Sequence, residues 1–178
     1  MFYRITRLMK RIVLFIFLMS SLSCSDGNFD ISSFEFEDEV NLCGSKTYTL
    51  YRLSTEGQRE ALIVTLTDLQ LRKDEDIVLP VPVTINGQYT VTYRLFDDNV
   101  TDDYFCAAVP PVEPTVLKDW RGVSGAIIVE NQPIYDTDGE NITGWRHYIV
   151  LYDVVLQVDD QELKLDETYL FGEVDTGP

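Results

Sequence analysis

The sequence predicts an all-β domain: an antiparallel β-sandwich, with a small barrel as the alternative, behind a cleaved N-terminal signal helix. Three observations predict it. Apolar residues alternate with period two rather than 3.6 through much of residues 34–178. Turn-forming residues interrupt these segments at short intervals, and no window carries the apolar stripe of an amphipathic helix.

The elements follow in order. Phe34-Glu35-Phe36-Glu37 alternates, and Thr47-Tyr48-Thr49-Leu50-Tyr51-Arg52-Leu53 does so for longer, as a half-buried strand requires. Residues 61–67, Ala-Leu-Ile-Val-Thr-Leu-Thr, read as a more buried strand. Residues 78–85 and 89–96 flank Asn86-Gly87, a strong short hairpin signal. Pro80 and Pro82 have no N–H to give a ladder, so the first of these strands belongs at an edge. A long connection over 97–121 holds Pro110, Pro111, Pro114 and Cys106. Residues 125–135 form the next strand, with Asp136-Thr137-Asp138-Gly139 as its turn. The chain then runs from His147 to Val158, turns at Asp159-Asp160 and returns through 162–174 as a terminal hairpin. Roughly eight or nine short strands of this kind make a sandwich.

The first 23 residues have another purpose. Arg4, Arg7, Lys10 and Arg11 precede any acidic residue, the apolar run 12–19 follows, and Ser20-Ser21-Leu22-Ser23 closes the segment. A positive end, a short apolar core and a small-residue exit make a secretory signal peptide. The run is short of the roughly 20 apolar residues that span a bilayer. Residues 1–23 are therefore the signal peptide, 24–33 a flexible tether, and 34–178 a single β-rich domain.

Ser21-Leu22-Ser23-Cys24 resembles a lipobox, in which the cysteine is acylated and the chain cut just before it. The departure is Ser21, where strict lipoboxes carry leucine; looser ones of Bacteroidota admit the change. Two or three acyl chains on Cys24 anchor a protein stably in a membrane. The acidic tract Ser25-Asp26-Gly27-Asn28-Phe29-Asp30 is similar to those that follow the lipidated cysteine in surface-directed lipoproteins. The segments around Cys24, Phe34-Glu35-Phe36, Leu42-Cys43-Gly44, Tyr93 to Val100 and Asp103 to Pro111 resemble an uncharacterised group of flavobacterial lipoproteins. That resemblance implies an outer-membrane lipoprotein exposed at the cell surface, with a periplasm-facing one as the alternative. It implies no activity.

The full chain carries 14 basic and 30 acidic residues, a net charge of −16. Cleavage removes Arg4, Arg7, Lys10 and Arg11, leaving 10 basic against 30 acidic residues and a charge of −20. Such a surface repels nucleic acid and anionic lipid, so the membrane is met through the lipid anchor and no nucleic-acid partner is expected. With Cys24 assigned to lipid, Cys43 and Cys106 pair as a disulfide in an oxidising compartment. Two thiols and the lone His147 fall short of a four-ligand zinc site.

No catalytic set assembles in the sequence. Gly122-Val123-Ser124-Gly125-Ala126 is out of register for a nucleophile elbow and precedes a strand rather than a helix. His147, the one histidine, reads as a surface or hydrogen-bonded side chain more readily than as a base or ligand. The acidic pairs Asp97-Asp98, Asp102-Asp103 and Asp159-Asp160 read as solvated turns. Asp136, Asp138, Glu140 and Asn141 are a weak calcium candidate, with an acidic β-turn as the default. Trp120, Trp145, Tyr104 and Tyr135 in or beside loops would serve a sugar-stacking face. The expectation is a non-enzymatic binding or assembly-support domain without a cofactor beyond the lipid. Its protein or glycan partner stays open. The alternatives are a carbohydrate-binding accessory module of an outer-membrane uptake system and an enzyme of unrecognised type.

Overall fold

Alternating sequence becomes alternating burial along parts of the chain, as in Thr90–Phe96 and residues 142–151. The computed structural model describes residues 34–71, 77–84 and 87–177; the signal segment, Cys24, the tether and Asn86 lie outside them. Among the described residues, nine strands form one antiparallel sheet. They are β1 (Asn41–Gly44), β2 (Thr47–Leu53), β3 (Glu60–Thr67), β4 (Ile77–Pro82), β5 (Thr90–Phe96), β6 (Val116–Tyr135), β7 (Ile142–Val158), β8 (Gln161–Lys164) and β9 (Thr168–Thr176). A one-turn helix, α1 (Asp102–Cys106), lies between β5 and β6.

The long β6–β7 hairpin organises the rest. The first part of β6 pairs with β5, and through it with β3, β2 and β1; the second part pairs with β4. On the other side, β8 and β9 pair successively with β7, which is the expected terminal hairpin. The register slips around Gly122, Ser124 and Ala126, where the sheet bends. Gly125 sits there at φ +104°, and a Cβ would come within 2.8 Å of Asp153 and Tyr152 carbonyl oxygens, so this bend requires glycine.

The bend lets the two arms of the sheet pack face to face, as in a sandwich. Leu50, Leu62, Val64, Val91 and Tyr93 from one arm and Ile127, Val129, Ile149, Leu151 and Phe171 from the other are buried. Phe34 bridges the arms, its ring 5.3 Å from Tyr93 and 5.9 Å from Tyr169. Arg52 of β2, 8% exposed, does the same with hydrogen bonds. Its guanidinium donates to the carbonyls of Glu37 (2.6 Å), Phe36 (3.2 Å), Phe171 (2.9 Å) and Leu170 (3.3 Å).

Several expectations are corrected. Phe34-Glu35-Phe36-Glu37 is not a strand; only Phe36 bridges, to Ser54. Strands β4 and β5 do not pair with each other. Thr84 N–H reaches Tyr89 O (2.9 Å) to close their turn, then β4 joins one part of β6 and β5 another. The bend in β6 offers two separate ladders, and that outweighs the local hairpin. Residues 116–121 belong to β6, which shortens the long connection to 97–115. The Gly122–Ala126 segment lies inside β6 instead of before a strand. Strand β4 is an edge strand, as its prolines require.

Strand β2 is not half-buried, because Leu50, Tyr51, Arg52 and Leu53 are all buried. The 97–115 connection covers its outer face with a second small core of Tyr51, Leu53, Ala61, Ile63, Phe96 and Val100, packed under Cys43, Tyr104 and Phe105.

One buried carboxyl has a measurable consequence. Glu60, 4% exposed, accepts a hydrogen bond from Tyr93 (2.8 Å). Burial pushes its carboxyl above the usual range, and the Tyr93 bond offsets this only in part. A carboxyl raised on folding adds stability fully below its unfolded pKa and loses it as pH rises through the folded one. Glu60→Gln is therefore expected to raise the thermal midpoint at pH 7. The gain should vanish at about pH 4, where the native carboxyl is protonated. Thermal melts across that window check it, and a pH-independent difference would contradict the assignment.

Candidate functional site

The sheet face opposite the main core carries a row pattern that the strand registers create. Thr49 stands opposite Thr65, and Thr65 opposite Thr90. One row along, Ile63 faces Thr92, and Thr92 faces Arg121; the next row sets Arg94 opposite Asp119. These residues line a shallow open depression of about 340 Å³ that continues past Thr90, Thr92 and Arg94 towards Thr84, Asp119 and Arg121. Its wall is the 97–115 connection, through Tyr104, Phe105 and Pro110.

That wall is held at several points. Cys106 at the end of α1 is disulfide-bonded to Cys43 of β1, their Cα atoms 5.3 Å apart. Phe105 stacks on Tyr51 at 4.1 Å and Tyr104 meets the Phe96 ring edge-on at 4.9 Å. Tyr51 donates to Asp102 (2.8 Å), and burial, helped by that carboxylate, pushes its phenol well above the usual range. At the neck, Asp97 accepts from the Thr115 N–H (2.8 Å) and hydroxyl. The Thr115 hydroxyl chiefly holds the Asp97 carboxyl below its usual range.

The floor carries the charge. Arg94 binds Asp119 through two donors, Nε to Oδ1 (2.8 Å) and Nη2 to Oδ2 (3.2 Å), the strong fork geometry of guanidinium with carboxylate. Burial opposes the Arg94 charge, but Asp119 together with Tyr104 outweighs it, so the guanidinium is held more firmly protonated than usual. Arg121 also contacts Asp119, at 3.2 Å through Nη2, and is about half exposed. Two guanidiniums thus share one carboxylate in a chain of net charge −16.

His147 lies elsewhere, at 0% exposure on β7. Its Nδ1 is 2.6 Å from Asn131 Oδ1 and its Nε2 2.8 Å from the Thr176 hydroxyl. Asn131 Nδ2 donates to Gln70 O (3.3 Å), which identifies Asn131 Oδ1 as the acceptor for His147 Nδ1–H. The Thr176 hydroxyl partners Nε2, so both ring nitrogens are engaged. Ser124 is exposed and pairs with Val155, eight positions along β7 from His147. At about 3.3 Å per residue no proton passes between them. The structure does not bring these two together.

Comparison with known protein families, curated proteins and solved structures finds no match.

The other sequence candidates disperse. Asp136 spends its oxygens on its own turn, accepting from Glu140 N–H (3.1 Å) and Asn141 Nδ2 (2.8 Å), and the Asn141 side chain chiefly lowers its pKa. Asp138 and Glu140 are exposed. Among the described residues, no group of three His, Cys, Asp or Glu side chains converges on a cation position. Trp120 and Trp145 are not in loops: they lie within β6 and β7, each 3% exposed. Tyr135 is exposed at the far end of β6, and both tryptophans fill the core, as most aromatics of a domain this size do.

Sequence reading missed the groove residues themselves. Their signal was threonine or charge at every second position, as in Thr90, Thr92 and Arg94 and in Asp119 and Arg121, with Thr49 and Thr65 on the neighbouring strands. Period-two spacing puts each set on one face.

Proposed function

We propose that this chain is an envelope lipoprotein, lipidated at Cys24 and tethered by residues 24–33, whose β domain binds a partner without catalysing its conversion. The observation that carries the binding role is the groove: an open row of hydroxyls and guanidiniums beside a loop pinned by Cys43–Cys106. A clamped wall preorganises the seat, which lowers the ordering penalty on binding. The engaged, buried His147 supports the non-enzymatic reading. The positive N-terminus, the apolar run and Ser21-Leu22-Ser23-Cys24 support lipidation and a place in the outer membrane facing the cell exterior.

Two experiments on the expressing cells test this. Cys24→Ala should abolish metabolic labelling with palmitate and release the chain from the membrane fraction; unchanged attachment contradicts the anchor. Crosslinking on intact cells, then purification and mass spectrometry, should recover an envelope component. Loss of that component on Arg121→Gln ties it to the groove, and its retention moves the binding surface elsewhere.

A further inference from the structure

We infer that the groove takes a neutral oligosaccharide, an inference that rests on the binding role proposed above. Three other kinds of ligand fit it poorly. Strands β2, β3, β5 and β6 each have neighbours on both sides, so no edge here offers unpaired N–H and C=O groups to an added peptide strand. An anionic chain meets a protein of net charge −16, and the charged groups of the floor are already engaged with one another. Arg94 forks Asp119, and Arg121 reaches the same carboxylate. A purely apolar ligand would strip water from a row of hydroxyls and give them no partner, which is unfavourable.

What the groove presents is a lattice of one chemistry. Thr49, Thr65 and Thr90 set hydroxyls on three adjacent strands, about 4.8 Å apart, and Thr92 adds another about 7 Å along β5. All four residues are half-buried, and among the described residues no protein group takes up any of the four hydroxyls. Each hydroxyl both donates and accepts, as a sugar hydroxyl does, so neither partner need be fixed in one role. A methyl stands beside each of them, and Ile63 lies opposite Thr92, so apolar points alternate with polar ones as they do around a sugar ring. Beside this lattice, Tyr104, Phe105 and Pro110 offer an apolar wall to the C–H face of that ring. The Cys43–Cys106 bridge and the stack of Phe105 on Tyr51 fix the wall before any ligand arrives. The depression runs on from Thr49 towards Thr84, which suits several linked sugars better than one.

The test uses the full chain in detergent, with threonine methyls labelled for NMR and calorimetry for affinity. The probes are neutral tetramers of α- and β-linked glucose, mannose, xylose and galactose, with tetragalacturonate as the acidic counterpart. At least one neutral tetramer should shift the Thr49, Thr65, Thr90 and Thr92 methyls and bind more tightly than tetragalacturonate. Thr92→Val should weaken it roughly fivefold, the equivalent of one neutral hydrogen bond, and adding Thr65→Val should bring the loss to roughly twentyfold. Thr137→Val, in the distant turn, should leave the affinity unchanged. Tighter binding of tetragalacturonate overturns the neutral selection. Full affinity in the Thr65→Val, Thr92→Val double variant, or shifts confined to other threonines, overturns the assignment to this lattice. No shift with any tetramer overturns the inference outright, and the binding role is then decided separately by the intact-cell crosslinking.

Discussion

A Cys43→Ser, Cys106→Ser double variant is expected to lose about 4 kcal/mol of unfolding free energy, lowering its thermal midpoint by roughly 10 °C. The bridge closes 63 positions of chain, and the entropy removed from the unfolded ensemble grows with the logarithm of that length. Set against the roughly 5–15 kcal/mol of a whole domain, this is a large share. The native state loses something as well. Once the bridge is gone, the 97–115 connection is held by the Asp97–Thr115 neck, the Val100 N–H to Gln58 O bond, buried Val100, the Tyr51–Asp102 bond and the rings of Tyr104 and Phe105. Tyr51, Leu53, Ala61 and Ile63 depend on that cover for burial. Denaturant unfolding and hydrogen exchange, with and without reductant on the native chain, check both parts. A loss under about 1 kcal/mol, or alkylatable Cys43 and Cys106 in untreated protein, would overturn the role assigned to the bridge.

That same connection separates what was legible in the sequence from what was not. Strand identity was legible over longer alternating runs such as Thr47–Leu53, because period two is a backbone property, whereas the four-residue alternation at residues 34–37 was too short to make a strand. The proline-bearing β4 was placed at an edge for an equally local reason, the missing N–H. Pairing was not legible. Asn86-Gly87 marks a turn, and Thr84 with Tyr89 closes it. Yet the ladder beyond depends on β6 being 20 residues long and bent at Gly125, far away in sequence. Burial on the outer face of β2 was illegible for a similar reason. Nothing local to Tyr51 and Leu53 says that a segment fifty residues on will cover them.

The site divides along the same line. Cys43 and Cys106 were legible as a pair by number, once Cys24 is set aside for lipid, and the structure joins them. Each threonine of the groove looked like an ordinary strand residue, because the hydroxyl lattice arises only when three strands set their registers together. His147 was ambiguous in sequence, because the side chain that engages its Nδ1 is Asn131, sixteen positions away.

Arg52 carries the second large effect, since Arg52→Met is expected to destabilise the domain by about 3 kcal/mol. Period two puts this residue on the same face as Tyr48 and Leu50; it lies between the arms, 8% exposed, with the Asp38 carboxylate 3.9 Å away. Its work is done on backbone. It donates to four carbonyls: those of Phe36 and Glu37, in a segment joined to β2 by the Glu37 N–H to Leu53 O bond and the Phe36–Ser54 bridge, and those of Leu170 and Phe171 on β9, which no ladder joins to β2. Methionine fills similar volume but donates nothing, and buried carbonyls left without donors are penalised by about 1–3 kcal/mol each. Relief from burying the guanidinium offsets part of that sum. Arg52→Lys keeps the charge but not the planar fork, so it should recover less than half of the loss. Exchange of the Glu37 and Phe171 amides should quicken more than that of the Val64 amide in the middle of β3, because the start and end of the domain detach first. Uniform acceleration would mean that Arg52 only fills space in the core, and full rescue by lysine would show that charge suffices without the fork.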